Sequence, residues 1–357
     1  MRRNILVFTV MALVCFPYVL KAEKAENDRC MKYFQHGQID DAIQECTRQI
    51  SGVSKKSSSA RTYLYRGLSY QAKAQFDLAI ADFTKAIKLN PKYDKAYTDR
   101  GNTYLLQGKS DQAIKDFTQA IKINPKADHA YFNRGVAYHV KEEFGKAVAD
   151  FNKVITLKPA MYQAYFYRGL TFQAKGQLDK ATADFSKAIS MNPRYDKAYL
   201  NRGNTYLLLG KTDSAISDFT KVIEINPNDD EAYGNRGAAR MINGEFDQAI
   251  ADLSKKIGLN PNDSKAYANR GAAYQLKGQF KPALADYEKA IEINPDNSAA
   301  YYNMACLYSL KKEAQESCDA LQKAIDNGYE QWNRIKTDPD LAFVRETACY
   351  KKIMEGK

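Results

Sequence analysis

The side chains best suited to chemistry in this chain are six cysteines and three histidines. His36, His129 and His139 match no metal-ligand spacing, and no Cys-x-x-Cys motif occurs. The sequence also has no glycine-rich phosphate loop and no serine elbow. Acids are spread over polar positions, with no pair set in an apolar stretch. The pattern that does recur is a charge pair. Arg66/Asp82, Arg100/Asp116, Arg134/Asp150, Arg168/Asp184, Arg202/Asp218, Arg236/Asp252 and Arg270/Asp286 all have the same separation, Arg29/Glu45 repeats it, and Met304/Ala320 loses both members together. A buried carboxylate left alone costs several kcal/mol, about 3–5, so joint loss points to ion pairs closed within one local element. Their chemistry is structural.

The element that positions these pairs is a repeat. Tyr63, Tyr97, Tyr131, Tyr165, Tyr199, Tyr233, Tyr267 and Tyr301 are 34 residues apart without a slip. In the stretch from Asp94 to Ala127, apolar or small residues return at helical spacing: Tyr97, Gly101 and Tyr104, then Ala113, Phe117, Ala120 and Ile121. Gly108 suits a left-handed cap that ends the first helix. Pro125 ends the second, because the residue before a proline is forced out of the helical region. Each repeat is therefore a helical hairpin that cannot bury its apolar stripe alone, and hairpins must stack. A partial copy with Arg29, Cys30, Tyr33, Gly37, Ala42, Glu45 and Ile50 precedes the array, joined to it by a Ser/Lys-rich loop from Ser51 to Ala60.

The run of Tyr97, Gly101, Tyr104, Ala113, Phe117, Ala120 and Pro125 resembles the tetratricopeptide repeat family, with Tyr for the usual opening Trp and Arg for the usual Leu before Gly. The resemblance covers eight repeats from about Ala60 to Ile325. Ala305 to Ser309 followed by Asp338, Pro339, Asp340 and Leu341 resembles the C-terminal closure of many bacterial members. Trp332, Ile335, Leu341, Phe343, Tyr350 and Ile353 look like an amphipathic cap. The resemblance implies an all-α, right-handed α-solenoid of helical hairpins with a C-terminal capping segment, which binds proteins and is not an enzyme.

In that family the first helix of each hairpin lines a concave groove. The resemblance thus implies a partner-binding set of Leu64, Asn102, Phe132, Asn133, Phe166, Leu200, Asn204, Asn235 and Lys265. Apolar pockets around Phe132, Phe166 and Leu200 would take side chains, and the amides of Asn102, Asn133, Asn204 and Asn235 would bond an extended backbone. The alternative is that Asn is merely tolerated there and bonds to neighbouring turns. The carboxylate clamp of chaperone-binding relatives is not reproduced. Asn204, Asn235 and Lys265 approach it, but Leu200 and Asn269 stand where cations are needed. Arg240 and Lys256 sit in columns that are otherwise interior, so they must snorkel or meet acids. That hairpin is either loose or part of a binding site.

At the start of the chain, Arg2 and Arg3 precede an uncharged apolar run from Ile5 to Leu20, after which the sequence turns polar. This reads as a signal peptide cleaved after Ala22; an uncleaved anchor and a lipoprotein signal at Cys15 are the alternatives. Loss of Arg2, Arg3 and Lys21 lowers the formal net charge from +11 to +8. No block of five like charges and no aromatic–basic motif occurs, which argues against nucleic acid. The excess suits an acidic partner, an anionic membrane surface or simply solvated helix faces. Export permits disulfides. Cys30 and Cys46 face each other across the first hairpin and Cys306 and Cys318 across the last, with buried thiols as the alternative. Cys349 is left over or replaces a partner at the C-terminal end.

The organisation expected is a signal peptide at 1–22, a partial hairpin and loop at 23–59, eight repeats at 60–327 and a cap at 328–357. The expected function is an exported scaffold, periplasmic or secreted and without cofactors. It would hold an extended segment of a partner protein in its groove, with peripheral association with cell-envelope complexes as a further option. A binder of a glycan, lipid or peptidoglycan fragment is the alternative.

Overall fold

The computed structural model describes residues 29–51 and 59–355, so the leader read at 1–22 and most of the Ser/Lys-rich loop lie outside the described residues. Among the described residues there are 21 α-helices, one 3-10 turn and no strand. They fall into two compact bodies divided after Asn192. In the N-terminal body, Arg29–Gln35 and Ile39–Ser51 precede four hairpins whose first helices are Ala60–Ala72, Asp94–Leu106, Asp128–Val140 and Tyr162–Ala174. In the C-terminal body, four hairpins begin with Asp196–Leu208, Asp230–Ile242, Ser264–Leu276 and Ser298–Leu310. Short helices from Trp332 to Met354 then cover the last one. Each body is an all-α solenoid in which every hairpin packs on the next.

The reversal inside each hairpin needs one residue in the left-handed region. Gly108 takes it at φ 74°, its N–H bonding to the Leu105 carbonyl while the Lys109 N–H reaches the Tyr104 carbonyl. In three hairpins the same place is held by a residue with a Cβ: Ala74, Glu142 and Lys312, at φ 57°, 62° and 64°. The fold imposes this turn even where the residue disfavours it.

Close approach of the two helices rests on a second glycine. A methyl group on Gly101 would lie 2.7 Å from Cε1 of Phe117, and Gly67, Gly135, Gly169 and Gly203 stand in the same relation to Phe83, Phe151, Phe185 and Phe219. These rings are wholly buried. Each contributes about 1.5–3 kcal/mol of apolar burial.

The charge pairs form as the sequence implied. Arg134 donates from Nε and Nη2 to the two oxygens of Asp150, both at 2.8 Å. The same fork closes on Asp82, Asp116 and Asp184, and in the C-terminal body on Asp218, Asp252 and Asp286. The third arm of the guanidinium reaches backwards to the preceding hairpin. Arg100 donates to Thr84, Arg134 to Thr118 and Arg168 to Asn152, while Arg236 and Arg270 reach Thr220 and Ser254. Tyr131 and Tyr138 flank the Arg134 guanidinium at 5.6 and 5.8 Å. One arginine thus ties its own hairpin shut and stitches it to its neighbour.

The expected Arg29–Glu45 bridge does not form. Glu45 instead pairs with Arg48 at 2.7 Å, one turn along its own helix, and Arg29 acts on it only through space. The two unusual cations both meet acids. Arg240 shares Asp252 with Arg236, and Lys256 lies 3.2 Å from both Asp230 and Asp263. That hairpin is held by charge where its siblings use a ring and an alanine or valine.

The cysteine expectation needs one correction. Cys30 and Cys46 are joined, but Cys318 pairs with Cys349 and not with Cys306. The last helix, Ala348–Met354, packs on Ala314–Asp326 and brings Cys349 to Cys318. Cys306 faces the core of the cap and stays a buried thiol, which burial pushes well above its ordinary pKa.

Candidate functional site

The first helices do not present the expected apolar pockets. Leu64, Phe132 and Phe166 are buried in the hairpin stack. Phe132 meets Tyr167 edge-on at 5.3 Å and Phe151 at 5.9 Å, and Phe166 packs on Phe185. These rings fill the seams between hairpins and leave nothing for a partner to hold. Leu200 is half-buried against the cluster of Ala215, Phe219 and Ala239, and Lys265 is exposed on the first turn of its helix.

The amides are brought together in pairs. In the N-terminal body, Asn133 Nδ2 donates to Asn102 Oδ1 at 2.6 Å; in the C-terminal body, Asn235 Nδ2 donates to Asn204 Oδ1 at 3.0 Å. Neither reading of the sequence foresaw this: the amides bond one another across adjacent first helices. Each pair still has one amide nitrogen and one carbonyl oxygen without a protein partner among the described residues, the donor–acceptor set that an extended peptide also offers.

The C-terminal body carries a feature that the sequence reading missed. Leu208, Ile242, Leu276 and Leu310 recur every 34 residues in the last turn of successive first helices, and they are 67%, 69%, 57% and 41% exposed. The signal was present as a repeat column, but residue type alone does not say which helix ends are left uncovered. Single exposed leucines are ordinary; a row of four in register is not.

The N-terminal body has a pocket of about 140 Å³ where the first helices of three consecutive hairpins meet. Leu64 and Leu68 form its apolar wall, and Asp94, Asp99, Asp128, Lys95, Lys126 and His129 bring charge to it. Burial pushes the Asp99 carboxyl up to about 7, with Lys95 opposing and Asp94 adding to the rise. Burial also lowers His129, despite the nearby Asp128. His139, elsewhere in this body, is depressed to about 4 by burial and bonds Thr171 through Nδ1 at 2.9 Å. It is a neutral core residue.

In the cap, Cys306, Asp338 and Asp340 bring one sulfur and two carboxylates close together. The acids already have work. Asp338 accepts from the Tyr302 hydroxyl at 2.7 Å and from the Asp340 N–H at 3.1 Å, and Asp340 accepts from Gln275 Nε2 at 3.1 Å. This is a closure motif for the last helices.

Comparison with known families agrees with the hairpin geometry. Models described as tetratricopeptide repeat match residues 60–93, 196–229 and 264–297, then 83–115, 219–251 and 286–319, and 128–161. A further model, described as TPR repeat, matches 101–141 and 169–210. The chain belongs to the tetratricopeptide-repeat proteins. Among solved structures, this repeat protein is similar to YrrB, described as a TPR protein with an unusual peptide-binding site. The two share 26% identity over 52% of this chain and 96% of that one, with a TM-score of 0.48. A tetratricopeptide repeat protein from Parabacteroides merdae is 18% identical, covers 70% of this chain and 98% of its own, and has a TM-score of 0.53. The Cut9-Hcn1 hetero-tetramer of APC/C contributes a chain at 15% identity, with 88% of this chain and 59% of that one covered and a TM-score of 0.50. The last two share the tetratricopeptide-repeat solenoid. No curated protein matches the chain.

Proposed function

We propose that this chain is a non-catalytic scaffold that holds an extended segment of a partner protein against the first-helix faces of its hairpins. The repeat fold suggests protein–protein interaction. The observation that carries the finer reading is the exposed row Leu208, Ile242, Leu276 and Leu310, an apolar strip in register with the repeat. A partner segment covering three such residues would bury enough apolar surface for about 1.5–3 kcal/mol at each well-filled position. The Asn204–Asn235 pair of the same body would bond its backbone, with Leu200 and Lys265 at the edges of that set; the Asn102–Asn133 pair offers the N-terminal body an equivalent set of its own. The protein is exported, to the periplasm or the exterior; disulfides at Cys30–Cys46 and Cys318–Cys349 support an oxidising compartment.

The test uses residues 23–357 and a Leu208→Ser, Ile242→Ser, Leu276→Ser variant, immobilised side by side against an envelope extract. All three positions are exposed, so helical content should not change. A protein retained by the parent and lost with the variant supports the scaffold reading. Equal retention by both refutes the apolar strip, and retention of a glycan or lipid alone replaces the protein partner with a small ligand.

A further inference from the structure

We propose that the pocket of the N-terminal body receives a basic side chain of the partner segment, with the Asp99 carboxylate as its counter-ion. The proposal deepens the scaffold reading and rests on it. The starting point is an exception within the repeat. Asn133 and Asn102 bond across adjacent first helices, and Asn235 and Asn204 do the same in the other body. One hairpin before the first pair, the corresponding residues are Asp99 and Leu68. A carboxylate stands where an amide would be, and an alkyl group stands where its hydrogen-bond partner would be. Both line the pocket.

The other acids there are already engaged. Asp94 accepts from Asn124 Nδ2 at 2.7 Å. Asp128 is paired with Lys158 and lies 3.6 Å from His129 Nε2. The Asp99 carboxylate has no hydrogen-bond or ion-pair partner among the described residues. Lys95, one turn earlier on the same helix, influences it through space without closing a bridge. The Asp99 carboxylate is half-buried and lines the open pocket, so a cation can reach it; partial desolvation disfavours its charged form, and an incoming cation favours that form. The rest of the pocket fits the remainder of such a side chain. Leu64 and Leu68 offer an apolar wall to the methylene stem, and about 140 Å³ accommodates an alkylammonium group. A lysine or arginine side chain meets both requirements; an acid or a bare alkyl chain meets only one or neither.

The probe is Nα-acetyl-lysine methylamide, titrated into the full mature chain with labelled leucine methyl groups and compared with its norleucine counterpart. The Leu64 and Leu68 methyl resonances should respond to the lysine compound at concentrations about tenfold lower than to norleucine. Asp99→Asn should abolish that preference while the fold is kept, because Asn fills the same column at Asn133, Asn201 and Asn235. Equal responses to the two probes, or a preference that survives Asp99→Asn, overturns the proposal. Capture of a partner protein by the apolar strip is a separate readout. If it persists while the lysine preference is missing, the subsite falls and the scaffold stands; if it is lost while the preference holds, the reverse follows.

Discussion

Arg168 and Asp184 should be strongly coupled, and the cost of losing one member should depend on which is lost. Two hydrogen bonds of 2.7 Å close the pair, and a third arm of the arginine reaches Asn152 at 2.6 Å. The side chain of Asp184 is 8% exposed and that of Arg168 is 20% exposed. Arg168→Ala leaves a nearly buried carboxylate without its counter-ion, which should cost about 3–5 kcal/mol. Asp184→Ala leaves a guanidinium that can turn towards Asn152 and solvent, so about 1–3 kcal/mol is expected. The double variant Arg168→Ala, Asp184→Ala removes both members together, as the last hairpin does with Met304 and Ala320. It should cost less than Arg168→Ala alone, giving a coupling energy of about 2 kcal/mol or more. Urea unfolding followed by circular dichroism measures the four chains, and hydrogen exchange on the Tyr162–Ala174 hairpin localises the loss, since a repeat array need not unfold in one step. Additivity of the single variants to within about 0.5 kcal/mol would refute the pair as a structural unit.

Four further outcomes are expected. Glu142→Gly and Ala74→Gly relieve a left-handed turn residue and should each stabilise by about 1 kcal/mol, whereas Gly108→Ala should destabilise by a similar amount; thermal denaturation decides the sign. Gly135→Ala places a methyl group 2.8 Å from the Phe151 ring and should cost about 1–3 kcal/mol, read from the same melting curves. His139, at about 4 in the fold and about 6.5 unfolded, gives stability present above pH ~6.5 and lost as the pH falls through ~4; the unfolded chain binds the extra proton in that window. The loss should approach about 3 kcal/mol, and His139→Gln should flatten the acid limb of the stability curve. Peptide mapping without reductant should recover Cys30–Cys46 and Cys318–Cys349 with Cys306 alkylated only after unfolding, and Cys30→Ser with Cys46→Ser should cost about 3 kcal/mol.

The hairpin was legible because everything that makes it is local. Tyr97, Gly101, Gly108, Phe117 and Pro125 act within one repeat, and the Arg–Asp pair closes there too, so one 34-residue stretch carries the whole argument. What the sequence did not reveal lies between repeats. The third guanidinium arm binds a Thr, Asn or Ser of the preceding hairpin, a column that in one repeat looks like an idle polar position. Phe132 and Phe166 stand on the first helix, where the family resemblance implies groove residues, but the neighbouring Tyr167 closes over both. Cys349 lies outside the repeat altogether, so no period could align it with Cys318.

The same limit explains why the site was the least legible part. Leu106 and Leu208 occupy one column and are the same residue, yet Leu106 is 7% exposed and Leu208 is 67% exposed. Residue type and repeat position are equal, so neither can account for the difference; it has to come from the side chains that surround each leucine. Asp99 makes the converse point. Its column was visible, and an acid among Asn133, Asn201 and Asn235 is a visible departure. Only the facing residue gives that departure meaning, because an aspartate opposite another asparagine would have been satisfied and an aspartate opposite Leu68 is not. In a repeat protein the period specifies the scaffold. Function is therefore to be sought where one copy breaks the pattern and its neighbour does not compensate, and by that criterion Asp99 qualifies while Arg240 and Lys256, both met by acids, do not.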